Sequence, residues 1–262
     1  MIDSHCHIND EMYLNDPASY IEEAKEAGVF SFLVVGSTLK DSIEAVKIAE
    51  NFNECYAAVG IHPEEANRLE NNYLEQIREL AKSKKVLAIG EIGLDYYWEK
   101  EEQVREKQKE LFVAQINLAN ELDLPISIHC RDALEDCLNI LKNHKVNRGG
   151  VMHCYAGSYE MASEFIKLGF LLGFGGTTTF KNSVRPKEVV ASIPSTAYVL
   201  ETDAPYLTPE PFRGHPNHSK YLYLVRNKIA ELRNITPEQV DKESTENFKR
   251  VFDLWRQKLM EF

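Results

Sequence analysis

Short apolar runs alternate with longer amphipathic stretches from one end of the chain to the other. The runs fall at residues 1–7, 30–35, 56–61, 86–89, 126–129, 151–153, 170–174 and 197–201 and predict buried strands. Between them, apolar residues at helical spacing predict helices over 20–27, 41–50, 72–83, 101–122, 132–141, 159–168 and 185–192. In the longest, Val104, Leu111, Ala114, Ile116, Leu118 and Leu122 carry that spacing. Asp41 and Asp132 read as helix starts. Amphipathic helices over 218–232 and 243–260 close the series, and Thr236-Pro237-Glu238 looks like a further helix start.

Eight strand–helix units in one unbroken series predict an α/β chain folded as a (β/α)8 TIM barrel, a single domain over 1–262. A doubly wound open sheet is the rival, and it would gather its site at one topological switch point. Polar residues at the ends of the runs separate the two. His5 and His7 come from the first strand, Glu91 from the fourth, His129 from the fifth, His153 from the sixth and Asp203 from the eighth. Side chains from five strands converge only on the rim of a ring.

Four imidazoles and two carboxylates suit one or two divalent cations that activate water. His5 and His7, two residues apart, share a strand face and can reach one ion. Glu91 ends an apolar run, where an unpaired charge is costly, and a role bridging two cations is expected of it. Asp203 can bind an ion and accept a proton from its water. Glu201, two residues earlier on the same face, can support the ligands from below. Arg131 shares a face with His129 and can point at a phosphate; Arg213 follows the eighth strand on a proline- and glycine-bearing loop. The stretch from Phe174 to Lys181 offers glycine N–H groups and threonine hydroxyls as further donors. Tyr96, Tyr97 and Trp98 read either as base-stacking rings or as a packed lid.

Charge and composition narrow the partners. The 262 residues carry a formal charge of −11, which argues against a broad basic nucleic-acid surface but leaves room for an enzyme that grips a few phosphates at a strand end. No basic and apolar leader opens the sequence and no apolar run reaches membrane-spanning length, so neither secretion nor a membrane partner is expected. Five cysteines form no C-x-x-C pair, so no disulfide framework or thiolate zinc site is indicated and a cytoplasmic location fits. Cys6, Cys130 and Cys154 adjoin the histidines and are expected to pack outward as small hydrophobes.

The same residues carry a family resemblance. His5-Cys-His7, Val59-Gly-Ile-His62-Pro63, Gly90-Glu91-Ile-Gly-Leu-Asp95-Tyr96, Pro125-Ile-Ser-Ile-His129-Cys-Arg131, His153-Cys-Tyr-Ala-Gly157 and Glu201-Thr-Asp203-Ala-Pro-Tyr-Leu207 resemble, in order, the signatures of the TatD family of metal-dependent deoxyribonucleases. The resemblance implies an amidohydrolase-type barrel with two divalent ions (Mg2+, Mn2+ or Zn2+) and hydrolysis of phosphodiesters at DNA strand ends, as in a 3′–5′ exonuclease, with RNA a further possible substrate. It implies that His5, His7, Glu91 and Asp203 hold one ion and that Glu91, His129 and His153 hold the other. Asp203 and Glu91 would be catalytic, and His62, Arg131 and Arg213 would contact substrate. The loop from Pro211 to Ser219 departs from the usual pattern at His215 and Ser219, which bears on substrate preference and leaves the ligand positions unchanged. A monomer is the favoured state. Two other readings stand beside this one. The first is hydrolysis of another ester class, such as aminoacyl-tRNA or a lactone, on the same metals. The second is a non-catalytic, metal-stabilised barrel that binds a partner.

Overall fold

Eight strands pair in sequence order, each parallel to the next. They are β1 (Ile2–Cys6), β2 (Ser31–Val35), β3 (Cys55–Val59), β4 (Val86–Asp95), β5 (Ile126–Arg131), β6 (Gly150–Met152), β7 (Phe170–Phe174) and β8 (Tyr198–Leu200). Seven helices connect them: α1 (Pro17–Glu26), α2 (Leu39–Asn51), α3 (Tyr73–Leu80), α4 (Glu102–Glu121), α5 (Leu134–Asn143), α6 (Tyr159–Lys167) and α7 (Arg185–Ser192). After β8 come α8 (Leu222–Arg233) and α9 (Pro237–Phe252). This is the expected TIM barrel. The computed structural model describes residues 1–69 and 71–252, so the part of the expected closing helix beyond 252 lies outside the described residues. No helix among them is long and apolar enough to cross a membrane.

Alternation along the strands builds two cores. Phe32 and Val34 of β2 and Tyr198 and Leu200 of β8 face outward, joining Phe112 of α4 and Phe165 of α6 beneath the helical ring. Leu33, Val35, Ala58, Ala88, Val151, Leu171 and Val199 face inward and fill the barrel, with Phe248 and Phe252 of α9 packed against them. The interior is therefore a packed plug, and only the opposite end is available for chemistry.

Hydrogen bonds at that end close the ring. His7 N–H donates to the Ala204 carbonyl at 2.8 Å and Asp203 N–H to the His5 carbonyl at 2.9 Å. Below them, the buried Asp3 carboxylate accepts from Thr202 N–H (2.9 Å), Thr202 Oγ1 (2.5 Å) and Ser219 Oγ (2.6 Å). Burial pushes the Asp3 carboxyl up to about 6, against the pull of these donors. Asp3 thus ties the first strand to the segment that carries Asp203.

Several element boundaries differ from the sequence reading. Thr38, not Asp41, caps α2: its Oγ1 accepts from Asp41 N–H at 3.1 Å and donates to the Asp41 carboxylate at 2.8 Å. Asp132 stands outside α5 with a left-handed φ of 54°, in the turn before the helix. α1 starts a turn earlier than expected because Asp16 caps it and Pro17 suits its first position. Pro237 starts α9, and the expected start of α8 at 218 is instead a short 3-10 turn over Ser219–Tyr221. β4 runs on through Glu91 to Asp95, well beyond residue 89.

Replacing Asp3 by alanine leaves the Thr202 and Ser219 donors buried without an acceptor. We expect a loss of about 2–3 kcal/mol in folding stability. Urea denaturation with an unchanged slope checks this, and a loss near zero would remove Asp3 from barrel closure.

Candidate metal centre

Interrupted pairing in two strands aims the key side chains. The register between β1 and β2 shifts between Asp3 and Cys6, and that between β4 and β5 shifts between Ile89 and Ile92. Each extra residue reverses which alternate positions face inward. After the first shift, Cys6 joins the outer core and His5 and His7 face the barrel mouth. After the second, Ile92 and Leu94 pack outward while Glu91 and Asp95 face in. Gly93 lets β4 pass close to β5 here: its φ is 141°, and a Cβ would lie 2.0 Å from the His129 carbonyl oxygen.

The structure brings all six expected ligands together. Glu91 Oε1 lies 3.0 Å from His129 Nδ1 and 3.0 Å from His153 Nε2. Glu91 Oε2 lies 3.7 Å from His5 Nε2 and 3.9 Å from His7 Nε2. Asp203 Oδ1 completes the second group, 3.7 Å from His5 and 3.5 Å from His7. The two oxygens of one carboxylate therefore divide the imidazoles into two sets. His5 is fully buried, while His7 and Asp203 are each 9% exposed, at the open edge.

Neighbouring groups fix the rings. His7 Nδ1 is 3.0 Å from the Val35 carbonyl and donates to it, which turns Nε2 inward. His129 Nε2 contacts Asp95 Oδ2 at 2.9 Å, which turns Nδ1 inward. Asp95 is buried, and Gln108 of α4 bonds both its N–H (2.9 Å) and its carbonyl (3.0 Å). Sequence reasoning left Asp95 out of the site, although it lies four positions past Glu91 on the same inward face. Glu201 is buried as expected, accepting from Cys154 N–H at 2.5 Å and lying 3.8 Å from His153 Nδ1.

Of the expected substrate residues, His62 has a contact with this group: its Nε2 lies 3.8 Å from Glu91 Oε1. Its Nδ1 accepts from Glu64 N–H at 3.3 Å, so in the neutral ring Nε2 carries the proton and acts as a donor. Arg131 is exposed and stacks on Tyr97, its guanidinium 3.8 Å from the ring centre. Arg213 stacks on Phe180 at 3.7 Å. Neither arginine has a carboxylate partner among the described residues. The hydroxyls of Thr178 and Thr179 donate to the Gly175 and Gly176 carbonyls, so they are not free donors for a ligand. Tyr96 is buried and bonds Asp136, which removes it from any exposed stacking surface. Cys6 is buried as expected, whereas Cys130 and Cys154 are half-buried.

The sequence matches the family described as TatD related DNase over residues 2–253. The chain belongs to the TatD family. It is 46% identical over 253 residues to the uncharacterized metal-dependent hydrolase YabD of Bacillus subtilis, covering 96% of this chain and 98% of that protein. It is 33% identical over 258 residues to the uncharacterized metal-dependent hydrolase YcfH of Escherichia coli, covering 97% of this chain and 96% of that one. The crystal structure of YjjV, a TatD homologue from Escherichia coli, superposes with a TM-score of 0.92 at 31% identity, covering 97% and 98% of the two chains. This TatD-family chain is a metal-dependent hydrolase.

The donor set fits a divalent metal. His5 Nε2 and His7 Nε2 are 3.3 Å apart, as are His129 Nδ1 and His153 Nε2 at 3.4 Å. One hydrogen bond at most can join each pair, so nitrogen lone pairs remain aimed at common ground that a cation would satisfy. Ligand atoms of His5, Glu91 and His153, of His5, His7 and Asp203, and of His62, Glu91 and His129 each lie within 4.8 Å of one another. Electrostatics agree with this. Burial resists charge on Glu91, yet the surrounding histidines, His153 foremost, hold its carboxyl well below the ordinary range. Burial likewise opposes charge on His7 and His129, and is outweighed. Asp203 and Glu91 bring His7 up to about 9; Asp95 and Glu91 bring His129 up to about 10. Burial, reinforced by His129, takes His62 down to about 3, consistent with a neutral donor.

These directions predict how loading depends on pH. Without the ion, protonated His7 and His129 balance the carboxylates. Their stabilisation is complete below the free-imidazole value of 6.5 and is lost as pH rises through about 9 to 10. A metal must displace those protons, so loading at pH 7 should release protons and strengthen with pH. Calorimetry in buffers of different ionisation enthalpy measures the release. Loading with no net proton release would contradict this assignment.

Proposed function

We propose that this chain, a single barrel domain, is a two-metal phosphodiesterase that trims nucleic-acid strand ends: a deoxyribonuclease of the 3′–5′ exonuclease type. The observation that carries the phosphodiester reading is the pair of rim guanidiniums. Arg131 ends β5 and Arg213 follows β8, each held by a ring rather than by a carboxylate. Stacking orients a guanidinium while leaving its N–H donors open to phosphate oxygens. A neutral lactone has no use for two such forks. The family's description as a DNase points the same way.

His5, His7, Glu91 and Asp203 would hold one ion, and Glu91, His129 and His153 the other, with Glu91 between them. When bound, Mg2+, Mn2+ or Zn2+ supplies Lewis acidity, lowering the pKa of water and offsetting phosphate charge. The chain's own residues do the rest. Arg131 and Arg213 grip the phosphate, and His62 Nε2–H donates to one of its oxygens. Asp203 lies at the open edge with its backbone fixed by the bond to His5, and its carboxylate takes the proton of the attacking water. Asp95 and Gln108 keep His129 from turning.

Asp203→Asn should lower kcat at least about a hundred-fold while leaving KM for a single-stranded oligonucleotide within a few-fold, because an amide cannot accept the proton. Steady-state kinetics with metal content confirmed check this; an unchanged kcat would refute the base role. The substrate class is tested on the parent with DNA, RNA, lactone and aminoacyl esters, each with and without chelator. Arg131→Lys should depress DNA cleavage about ten-fold and leave an uncharged ester unaffected, since a point charge replaces a fork. Equal losses on both, or turnover of the neutral esters alone, would end the phosphodiester reading.

A further inference from the structure

The loop after β4 carries two large rings: Tyr97 holds Arg131, and Trp98 has no part in phosphate binding or hydrolysis. Tyr97 is 43% exposed and Trp98 62%, and their rings meet edge to face at 4.7 Å. Single exposed apolar side chains are ordinary on a soluble protein; two adjoining rings at the rim of an active site mark a binding surface. A mobile lid would leave the loop's backbone loosely held. Here Asp95 Oδ1 accepts from Tyr97 N–H at 2.9 Å and Trp98 N–H at 3.1 Å. The other oxygen of the same buried carboxylate holds His129. Lys100 Nζ bonds the Tyr96 carbonyl at 2.8 Å, and Arg105 Nε bonds that of Glu99 at 3.0 Å. One carboxylate therefore fixes both a metal-facing imidazole and the loop that carries the rings.

Charge says what lies on these rings. Arg131 covers one face of Tyr97 and lies 5.6 Å from the Trp98 ring, so the aromatic surface is flanked by an anion-binding group. Across the mouth, the cavity beside His7 is lined by Asp10, Glu11, Asp41 and Glu44, with Lys40 the one lysine or arginine of its lining. A polyanion is repelled there. The occupant that fits an exposed indole beside a guanidinium, with negative charge directed at the metal centre, is a nucleobase joined to its sugar-phosphate.

We propose that Trp98, braced edge to face by Tyr97, is a stacking platform for a nucleobase at the strand end, anchored to the metal centre through Asp95. The proposal rests on the phosphodiesterase reading above and adds to it a contact with the base. Stacking of this kind tolerates any base, because every base offers a π face.

The test compares two single strands with phosphorothioate ends, one with natural terminal bases and one with abasic tetrahydrofuran residues there. Fluorescence anisotropy of a label at the far end gives Kd for the metal-loaded protein. The parent should hold the base-bearing strand about ten-fold tighter. Trp98→Ala should erase that difference and leave abasic binding unchanged, and Trp98→Phe should keep most of it. The sequence has two tryptophans. In a Trp255→Phe protein, Trp98 emission should be quenched by the base-bearing strand and not by the abasic one. If the parent binds both strands equally, or Trp98→Ala weakens both equally, the platform is wrong and the phosphate reading survives. If the parent binds neither strand, the phosphodiesterase reading fails and takes the platform with it.

Discussion

Glu91 is a charged carboxylate buried where the barrel opens, within 4 Å of five imidazoles. Isolated, such a charge would cost far more than the margin by which a protein is folded. It is tolerated because positive charge surrounds it on both oxygens, as imidazolium in the ion-free chain and as metal in the loaded one. Other features of the mouth follow from that need. The histidines arrive from β1 and β5, from the residues just after β1 and β6, and from the turn after β3. The outer nitrogens of His7 and His129 are turned toward fixed acceptors, the Val35 carbonyl and Asp95. Asp203 is locked to the first strand by the backbone bond that also closes the ring.

The barrel itself was legible because its signal is repetitive. Eight apolar runs each bury outward residues beneath a helix, and ligand types at five run ends require a ring. Helix starts were harder to read. Asp41 is a favourable cap type, yet Thr38 stands three residues earlier and the two side chains satisfy each other, so the helix begins there. Local chemistry allows both readings, and packing of α2 against its neighbours selects one.

At the site, residue identities were readable and aim was not. A strict two-residue period starting from Ile2 would put Ser4 and Cys6 in the barrel and His5 outside. The shifted register between Asp3 and Cys6 reverses this, and a similar shift in β4 delivers Glu91. Nothing in the apolar pattern announces an extra residue. Asp95 was passed over because it follows what looked like the end of a strand; β4 in fact continues, which keeps Asp95 facing inward. Arg131 and Arg213 were read as phosphate contacts from position alone. Their stacking on Tyr97 and Phe180 depends on loops whose course the sequence does not encode in any simple period. The formal charge of −11 is likewise unevenly distributed around the mouth, with carboxylates beside His7 and an arginine with two exposed rings beyond His129.

The proposed chemistry depends most on one carboxylate lying between two cations. Crystals of the protein grown with Mn2+ and measured near the manganese absorption edge locate each ion independently of the protein atoms. This chemistry predicts two anomalous peaks about 3.5–4 Å apart, one on each side of the Glu91 carboxylate. The peak on the Oε2 side should contact His5, His7 and Asp203, and the peak on the Oε1 side His129 and His153. A single peak at full loading, or two peaks with Glu91 bound to only one, would contradict it.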